Sequence, residues 1–98
     1  MTINMERKDD RLCVSLEGRL DTSTAPKLEA ELKSALDGVT DLVIDMKGLR
    51  YISSAGLRVL LSAQKVMNRQ GEMVVRNANE GIMEVFEVTG FTDILTLV

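Results

Sequence analysis

Histidine is absent from the 98-residue chain, and cysteine occurs once, at Cys13. Without histidine the chain lacks the commonest general base, the usual partner of a catalytic serine and the ligand found in most zinc sites. A single cysteine cannot form an internal disulfide, which is typical of a protein kept in a reducing cytoplasm. We therefore expect no metal, no cofactor and a cytoplasmic location.

Long apolar runs and an excess of positive charge are also missing. No run approaches the roughly 18 apolar residues of a transmembrane helix, and the first residues lack the apolar core of a signal peptide, so no membrane insertion is expected. The net charge of −3 argues against direct binding to nucleic acid, which favours a basic surface. The length and the hydrophobic fraction of 45% fit a single domain over residues 1–98, and nothing requires more than a monomer.

The chain does contain a regular succession of strand and helix patterns. Residues 2–6 alternate weakly and residues 11–17 clearly, so a hairpin is expected first. The later predicted elements are a helix capped by the hydroxyls of 22–24 and ending at Gly38, a strand at 42–44, a helix at about 54–70, a strand at 72–76, a helix ending at Gly90 and a short strand at 94–98. This order, β-β-α-β-α-β-α-(β), predicts an α/β fold with a mixed four- to five-stranded sheet and helices packed against it.

Two adjacent serines stand where a buried strand passes into the most apolar helix. The strand at 42–44 is apolar on both faces, which indicates a sheet covered at least partly by helices. Ser53 or Ser54 can accept from the free N–H groups of the first helical turn. A hydroxyl there also projects at the positive end of the helix, where an anion is tolerated.

The simplest interpretation of these serines is a helix cap. Three features favour a functional site instead: two hydroxyls where one cap suffices, the small residues Ala55 and Gly56 after them, and a helix held by the core. An enzyme is not indicated, because the chain has neither a G-x-S-x-G elbow nor a G-x-x-x-x-G-K-[ST] loop. Nothing in the spacing of Asp21 and Asp45 demands a carboxylate pair; we expect Asp45 to end a strand and Asp21 to support a loop.

Several segments together resemble a known family, and the third of them is the most specific. They are Leu16-Glu17-Gly18-Arg19-Leu20-Asp21, Leu42-Val43-Ile44-Asp45-Met46, Leu49-Arg50-Tyr51-Ile52-Ser53-Ser54-Ala55-Gly56-Leu57, Gly71-Glu72-Met73-Val74-Val75 and Val85-Phe86-Glu87-Val88-Thr89-Gly90-Phe91. On these residues the chain resembles a STAS domain of the anti-sigma factor antagonist type over about residues 1–97. Members of this family usually carry another helix after the last strand; that helix is expected to be absent here.

The resemblance implies a switch controlled by phosphorylation. In the family, the unphosphorylated antagonist binds an anti-sigma factor that is also a serine kinase, and so releases a sigma factor. Phosphorylation breaks the complex and a phosphatase restores it. The family pattern Asp-Ser-(Ser/Ala)-Gly, aligned on Gly56, implies that Ser54 is modified. Ser53 stands where the family often has Asp, and it is the second candidate.

The loop at 21–24 follows a strand whose end should lie beside the serine turn, so we expect it to share the partner contact. The candidate partner-binding residues are Asp21, Thr22, Ser23, Ser53, Ser54, Ala55, Gly56 and Arg58. Two simpler interpretations remain open: the loop is only a solvated cap, and the basic stripe of Arg58, Lys65 and Arg69 is only a solvated helix face. An alternative function is a regulatory or structural subunit of a membrane transport or lipid-trafficking complex.

Overall fold

The computed structural model describes residues 1–98 and contains four strands, three α-helices and one short 3-10 helix. The elements are β1 (Thr2–Lys8), β2 (Arg11–Leu20), α1 (Ala25–Ala35), β3 (Asp41–Ile52), α2 (Ser54–Gln70), β4 (Glu72–Arg76), α3 (Glu80–Thr89) and the 3-10 helix (Phe91–Asp93). The predicted α/β fold and its element order are confirmed. None of the helices combines the length and the apolar character that crossing a bilayer requires.

The sheet has the strand order β1-β2-β3-β4 and is mixed. β1 pairs with β2 antiparallel, as the predicted hairpin requires, whereas β2, β3 and β4 are parallel and are joined through α1 and α2. The predicted last strand at 94–98 is reduced to one bridge between Leu97 and Val75. Gly90 ends α3 in the left-handed region at φ 78°, and the 3-10 helix follows it. The N–H groups of Ile94 and Leu95 both donate to the carbonyl of Phe91, so these two residues are part of a turn and only 96–98 run beside β4.

The hydrophobic core lies between one face of the sheet and the helices. β2 contributes Leu12, Val14, Leu16 and Leu20, the first half of β3 contributes every second residue, and buried apolar residues of all three α-helices complete the core. The other sheet face carries no helix, so the protein has two layers. Val43 on that face is nevertheless only 3% exposed, because Cys13 and Val74 flank it on the neighbouring strands.

Strand β3 is much longer than the predicted strand at 42–44, and Asp45 does not end it. The sequence did not predict this continuation, because the buried residues after Asp45 are Met46, Leu49 and Ile52. They are three residues apart, whereas a half-buried strand alternates every two residues. Shifts in the register between β2 and β3 produce this spacing, since a β-bulge inserts an extra residue into the alternation. The result brings the end of β3 level with the end of β2.

Candidate functional site

The carboxyl ends of β2 and β3 meet at one edge of the sheet. Leu20 lies opposite Ile52, and the backbone N–H of Ser53 donates to the carbonyl of Leu20 at 2.9 Å. The loop that begins at Asp21 and the turn that holds the two serines are therefore neighbours, as expected from the sequence. This edge is the candidate functional site.

Ser53 is the N-cap residue of α2. Its backbone is extended, at φ −102° and ψ 176°, and its hydroxyl accepts from the N–H of Gly56 at 3.4 Å. The side chain is half-buried. The Ser53 hydroxyl thus caps the start of α2.

Ser54 is the first residue of α2 and is exposed. Its neighbour Ser53 supplies the cap, and the Ser54 hydroxyl takes part in none of the side-chain hydrogen bonds of the chain. The free N–H groups and the positive dipole end of α2 lie around it, so added negative charge here is electrostatically favoured. The structure therefore separates two serines that the sequence left as alternatives: one caps the helix and the other is free.

Gly56 has a different role from the expected partner contact. It is buried, and a Cβ added to it would lie 2.7 Å from Leu20 Cγ and 2.8 Å from Ile52 Cγ1. The missing side chain faces the core, where it lets the first turn of α2 approach the ends of β2 and β3. Ala55 is half-buried beside Ser54 and remains a candidate surface residue.

The loop after β2 is closed by its own hydrogen bonds. Asp21 Oδ1 accepts from the Ser23 hydroxyl at 2.7 Å, from the Ser23 N–H at 3.0 Å and from the Thr24 N–H at 3.2 Å. These bonds, that of the Ser23 hydroxyl most of all, hold the pKa of the Asp21 carboxyl below its usual value. Thr22 and Ser23 are exposed on this ordered loop.

The expectation that the hydroxyls of 22–24 cap α1 is wrong. Thr24 occupies the N-cap position, but its side chain makes no bond to the helix. Its hydroxyl instead donates to the carbonyl of Arg19 at 2.8 Å and accepts from the N–H of Asp21 at 2.8 Å. The hydroxyl stabilises the loop, and Pro26 in the first turn of α1 removes one N–H that would need a cap.

Arg58 lies four residues after Ser54 on α2 and is exposed. Residues at this spacing occupy the same face of a helix, one turn apart. The helix contains three basic residues and no acidic one, and all three are exposed: Arg58, Lys65 and Arg69. Ser54 therefore stands at the start of a narrow positive strip.

Two further residues lie at this edge that were not predicted from the sequence. Arg19 and Tyr51 are paired across β2 and β3, and the guanidinium carbon of Arg19 lies 4.2 Å from the centre of the Tyr51 ring. Tyr51 is 42% exposed, and it belongs to the segment that most clearly carries the family pattern. The sequence signal that could have identified Tyr51 was an aromatic residue three positions before Ser54.

Asp45 lies on β3 opposite Ser15, well before the strand ends, so the structure does not bring it together with Asp21. It binds Arg76 at 3.3 Å, the Asn77 amide at 3.1 Å and the Lys47 N–H at 3.0 Å. Burial alone would raise the pKa of Asp45, but these hydrogen bonds and the Arg76 charge outweigh it, so the pKa is lowered. No group of three or more acidic or cysteine side chains converges as metal ligands would.

Comparison with known proteins shows the same fold and the same kind of sequence. The STAS domain family pattern matches residues 2–98. The protein BtrV of Bordetella bronchiseptica is 42% identical over 96 residues, which are 96% of this chain and 83% of BtrV. The crystal structure of an anti-sigma factor antagonist from Mycobacterium paratuberculosis superimposes with a TM-score of 0.88 at 26% identity, over 98% of this chain and 83% of that one.

The fold is also that of SpoIIAA, an anti-sigma factor antagonist of known structure. Its unphosphorylated form has a TM-score of 0.79 at 17% identity, over 99% of this chain and 87% of SpoIIAA. Its phosphorylated form, from Bacillus, has a TM-score of 0.78 at 18% identity, over 99% of this chain and 91% of that one. At these identities the likeness establishes the fold alone.

Proposed function

The chain belongs to the STAS domain family, and on this premise we propose that its unphosphorylated form binds an anti-sigma factor with serine kinase activity and so releases a sigma factor. The Mycobacterium antagonist, which is similar in sequence and in structure, supports the anti-sigma factor as partner. The role is regulatory rather than catalytic.

The phosphorylated residue in this proposal is Ser54. The observation that carries it is the contrast between the two serines: the Ser53 hydroxyl is held by the Gly56 N–H, whereas Ser54 is exposed at the start of a well-packed helix. A kinase has to reach a free hydroxyl on a segment that can enter its active site. Ser54 is the exposed member of the pair and lies at the very start of α2, so it is the serine that a kinase would reach first.

A phosphate at Ser54 would change the surface more than the fold. It adds about −1.5 to −2 charges, which the helix N-terminus can hold. Repulsion between this charge and a partner carboxylate about 6 Å away is roughly 5 kcal/mol at an effective dielectric constant of about 20. Changing the bound fraction from 99:1 to 1:99 needs about 5.5 kcal/mol. Repulsion of this size, together with steric overlap, is sufficient to dissociate the complex; a phosphatase would then restore it.

The proposed contact surface combines the two segments that meet at the sheet edge. Thr22 and Ser23 extend from the loop that Asp21 closes, and Ala55 and Arg58 flank Ser54 on α2. Loop and helix start are both held in place before binding, so little conformational entropy would be lost on association.

The test is affinity purification from the native host, followed by phosphorylation with the purified partner. The wild-type chain and Ser54→Ala should retain an anti-sigma factor, Ser54→Asp should lose it, and peptide mass spectrometry should locate one phosphate at Ser54. Ser53→Ala is the matched control and should still be phosphorylated. Phosphate on Ser53, or recovery of a permease or transport ATPase with no anti-sigma factor, would contradict the proposal.

A further inference from the structure

Tyr51 is an exposed aromatic residue in a chain that has only three aromatics. The other two lie together: Phe86 is fully buried, and its ring stacks on Phe91 with the centroids 6.5 Å apart. The remaining exposed large apolar side chains, Val88, Ile94 and Val98, all belong to the last eleven residues of the chain. Tyr51 is therefore the one large apolar side chain exposed at the edge that carries Ser54.

Arg19 stacks on the Tyr51 ring. Its guanidinium lies over the ring at 4.2 Å, and its Nε is 3.7 Å from Asp21 Oδ2, which belongs to the closed loop. The Arg19 side chain is 58% exposed, and its N–H groups donate no hydrogen bond within the chain. The outer edge of this planar group is thus free to bind a carboxylate in the two-point geometry that arginine favours.

Ordered tyrosine and arginine side chains are the groups that most often dominate the energy of protein interfaces. A tyrosine offers a large contact area with few torsions to restrict, and stacking by Arg19 restricts them further before binding. A purely structural role is a weak explanation, since an exposed cation–π pair contributes little to folding.

We infer that Arg19 and Tyr51 together form the anchor of the partner surface: the Tyr51 ring packs into an apolar pocket of the anti-sigma factor, and Arg19 binds a carboxylate beside that pocket. This inference rests on the proposed function and adds the chemistry of the partner to it. Arg19 and Tyr51 are the anchor pair of this surface.

The anchor pair lies close to Ser54 along the backbone. Tyr51 precedes Ser54 by three residues, and the N–H of Ser53 is bonded to the residue that follows Arg19. A partner that binds the anchor pair would therefore also approach Ser54, where the added charge and bulk of a phosphate would oppose it.

The test measures the affinity of the purified anti-sigma factor for anchor variants by titration calorimetry. Tyr51→Ala should weaken binding about 30-fold, as loss of an aromatic hot spot does, and Tyr51→Phe should stay within about threefold of the wild type. Val88→Ala, which truncates a more exposed side chain far along the chain, is the matched control and should bind as the wild type does. Melting temperatures of all variants separate loss of contact from loss of fold.

Arg19 variants test the carboxylate. Arg19→Ala should weaken binding about tenfold, and Arg19→Lys should not restore it, because lysine lacks the planar fork. Wild-type affinity in Arg19→Lys would overturn the assigned carboxylate contact. So would a result in which Arg19→Ala lowers only the melting temperature of the phosphorylated chain, since Arg19 would then bind the chain's own phosphoserine.

The two proposals fail in different ways. Loss of binding in Ser54→Asp with unchanged binding in Tyr51→Ala overturns the anchor and leaves the switch intact. Weak binding in Tyr51→Ala with unchanged binding in Ser54→Asp supports the anchor and overturns the switch. A wild-type chain that binds no anti-sigma factor overturns both.

Discussion

Ser53 and Ser54 are adjacent and chemically identical, yet the fold places them in different environments. Ser53 is half-buried and bonded to Gly56, and Ser54 is exposed. Ser53→Ala should lower the free energy of unfolding by about 0.5–1 kcal/mol, because the first turn of α2 loses its cap. Ser54→Ala should leave stability within about 0.5 kcal/mol of the wild type. Urea denaturation checks both values, and equal losses would mean that the two hydroxyls share the capping role.

Asp45 illustrates a carboxylate whose role is structural. Its pKa is lowered in the folded protein, so the ionised form stabilises the fold above the pKa of the unfolded chain, near 3.8, and this stabilisation is lost as the pH falls through the lower folded-state pKa. Asp45→Asn should reduce the free energy of unfolding by about 1–3 kcal/mol at pH 7.

The difference between Asp45→Asn and the wild type should shrink as the pH falls below 3.8. Denaturant titrations at pH 7, 4 and 2.5 measure it. A difference that stays constant down to pH 2.5 would show that the loss comes from packing and not from the charge.

Helix α2 depends on a close approach at its first turn. Because an added Cβ at Gly56 would lie 2.7 Å from Leu20 Cγ, Gly56→Ala must push the helix start away from β2 or rotate Leu20. We expect a loss of about 1–3 kcal/mol in stability, together with weaker partner binding although Ser54 itself is unchanged. Gly81→Ala in α3 is the matched control: its Cβ would meet only Asn79 Oδ1 at 3.4 Å, so the variant should be as stable as the wild type or up to about 1 kcal/mol more stable.

The charges of α2 and α3 are opposite in sign. The charged residues of α2 are all basic, and those of α3 are all acidic: Glu80, Glu84 and Glu87. Phosphate on Ser54 would face Arg58 one turn away. Their attraction should raise the free energy of unfolding by about 0.5 kcal/mol, or the Tm by roughly 2–4 °C for a chain of this length. Arg58→Ala should remove this increment from the phosphorylated protein, and Lys65→Ala, further along α2, should keep it. Calorimetric scans of both phosphorylated variants at low salt provide the measurement.

The two-layer architecture keeps the switch away from the core. The helices cover one sheet face, and the candidate site lies at the edge where β2 and β3 end. Phosphorylation should therefore alter amide chemical shifts at 19–24 and 51–58 and leave core amides such as those of Leu28 and Phe86 unchanged. Shift changes spread through α1 and α3 would contradict a switch that acts through surface charge.

Local sequence is sufficient to predict those helices and strands whose patterns lie within a few consecutive residues. The bounds of α2 and β4 and the end of α3 at Gly90 agree with the patterns, because helical periodicity and left-handed glycines are set within a few residues. The pair of serines, Ser53 and Ser54, was likewise identifiable as a candidate site from its place before an apolar helix, and the family resemblance alone favoured Ser54.

Contacts between distant segments account for what the patterns missed. The length of β3 depends on bulges against β2, about thirty residues earlier, and the burial of Gly56 depends on Leu20. The pairing of Arg19 with Tyr51 arises in the same way. None of these has a local signature, since register between strands is chosen by the packing of the whole sheet against its helices.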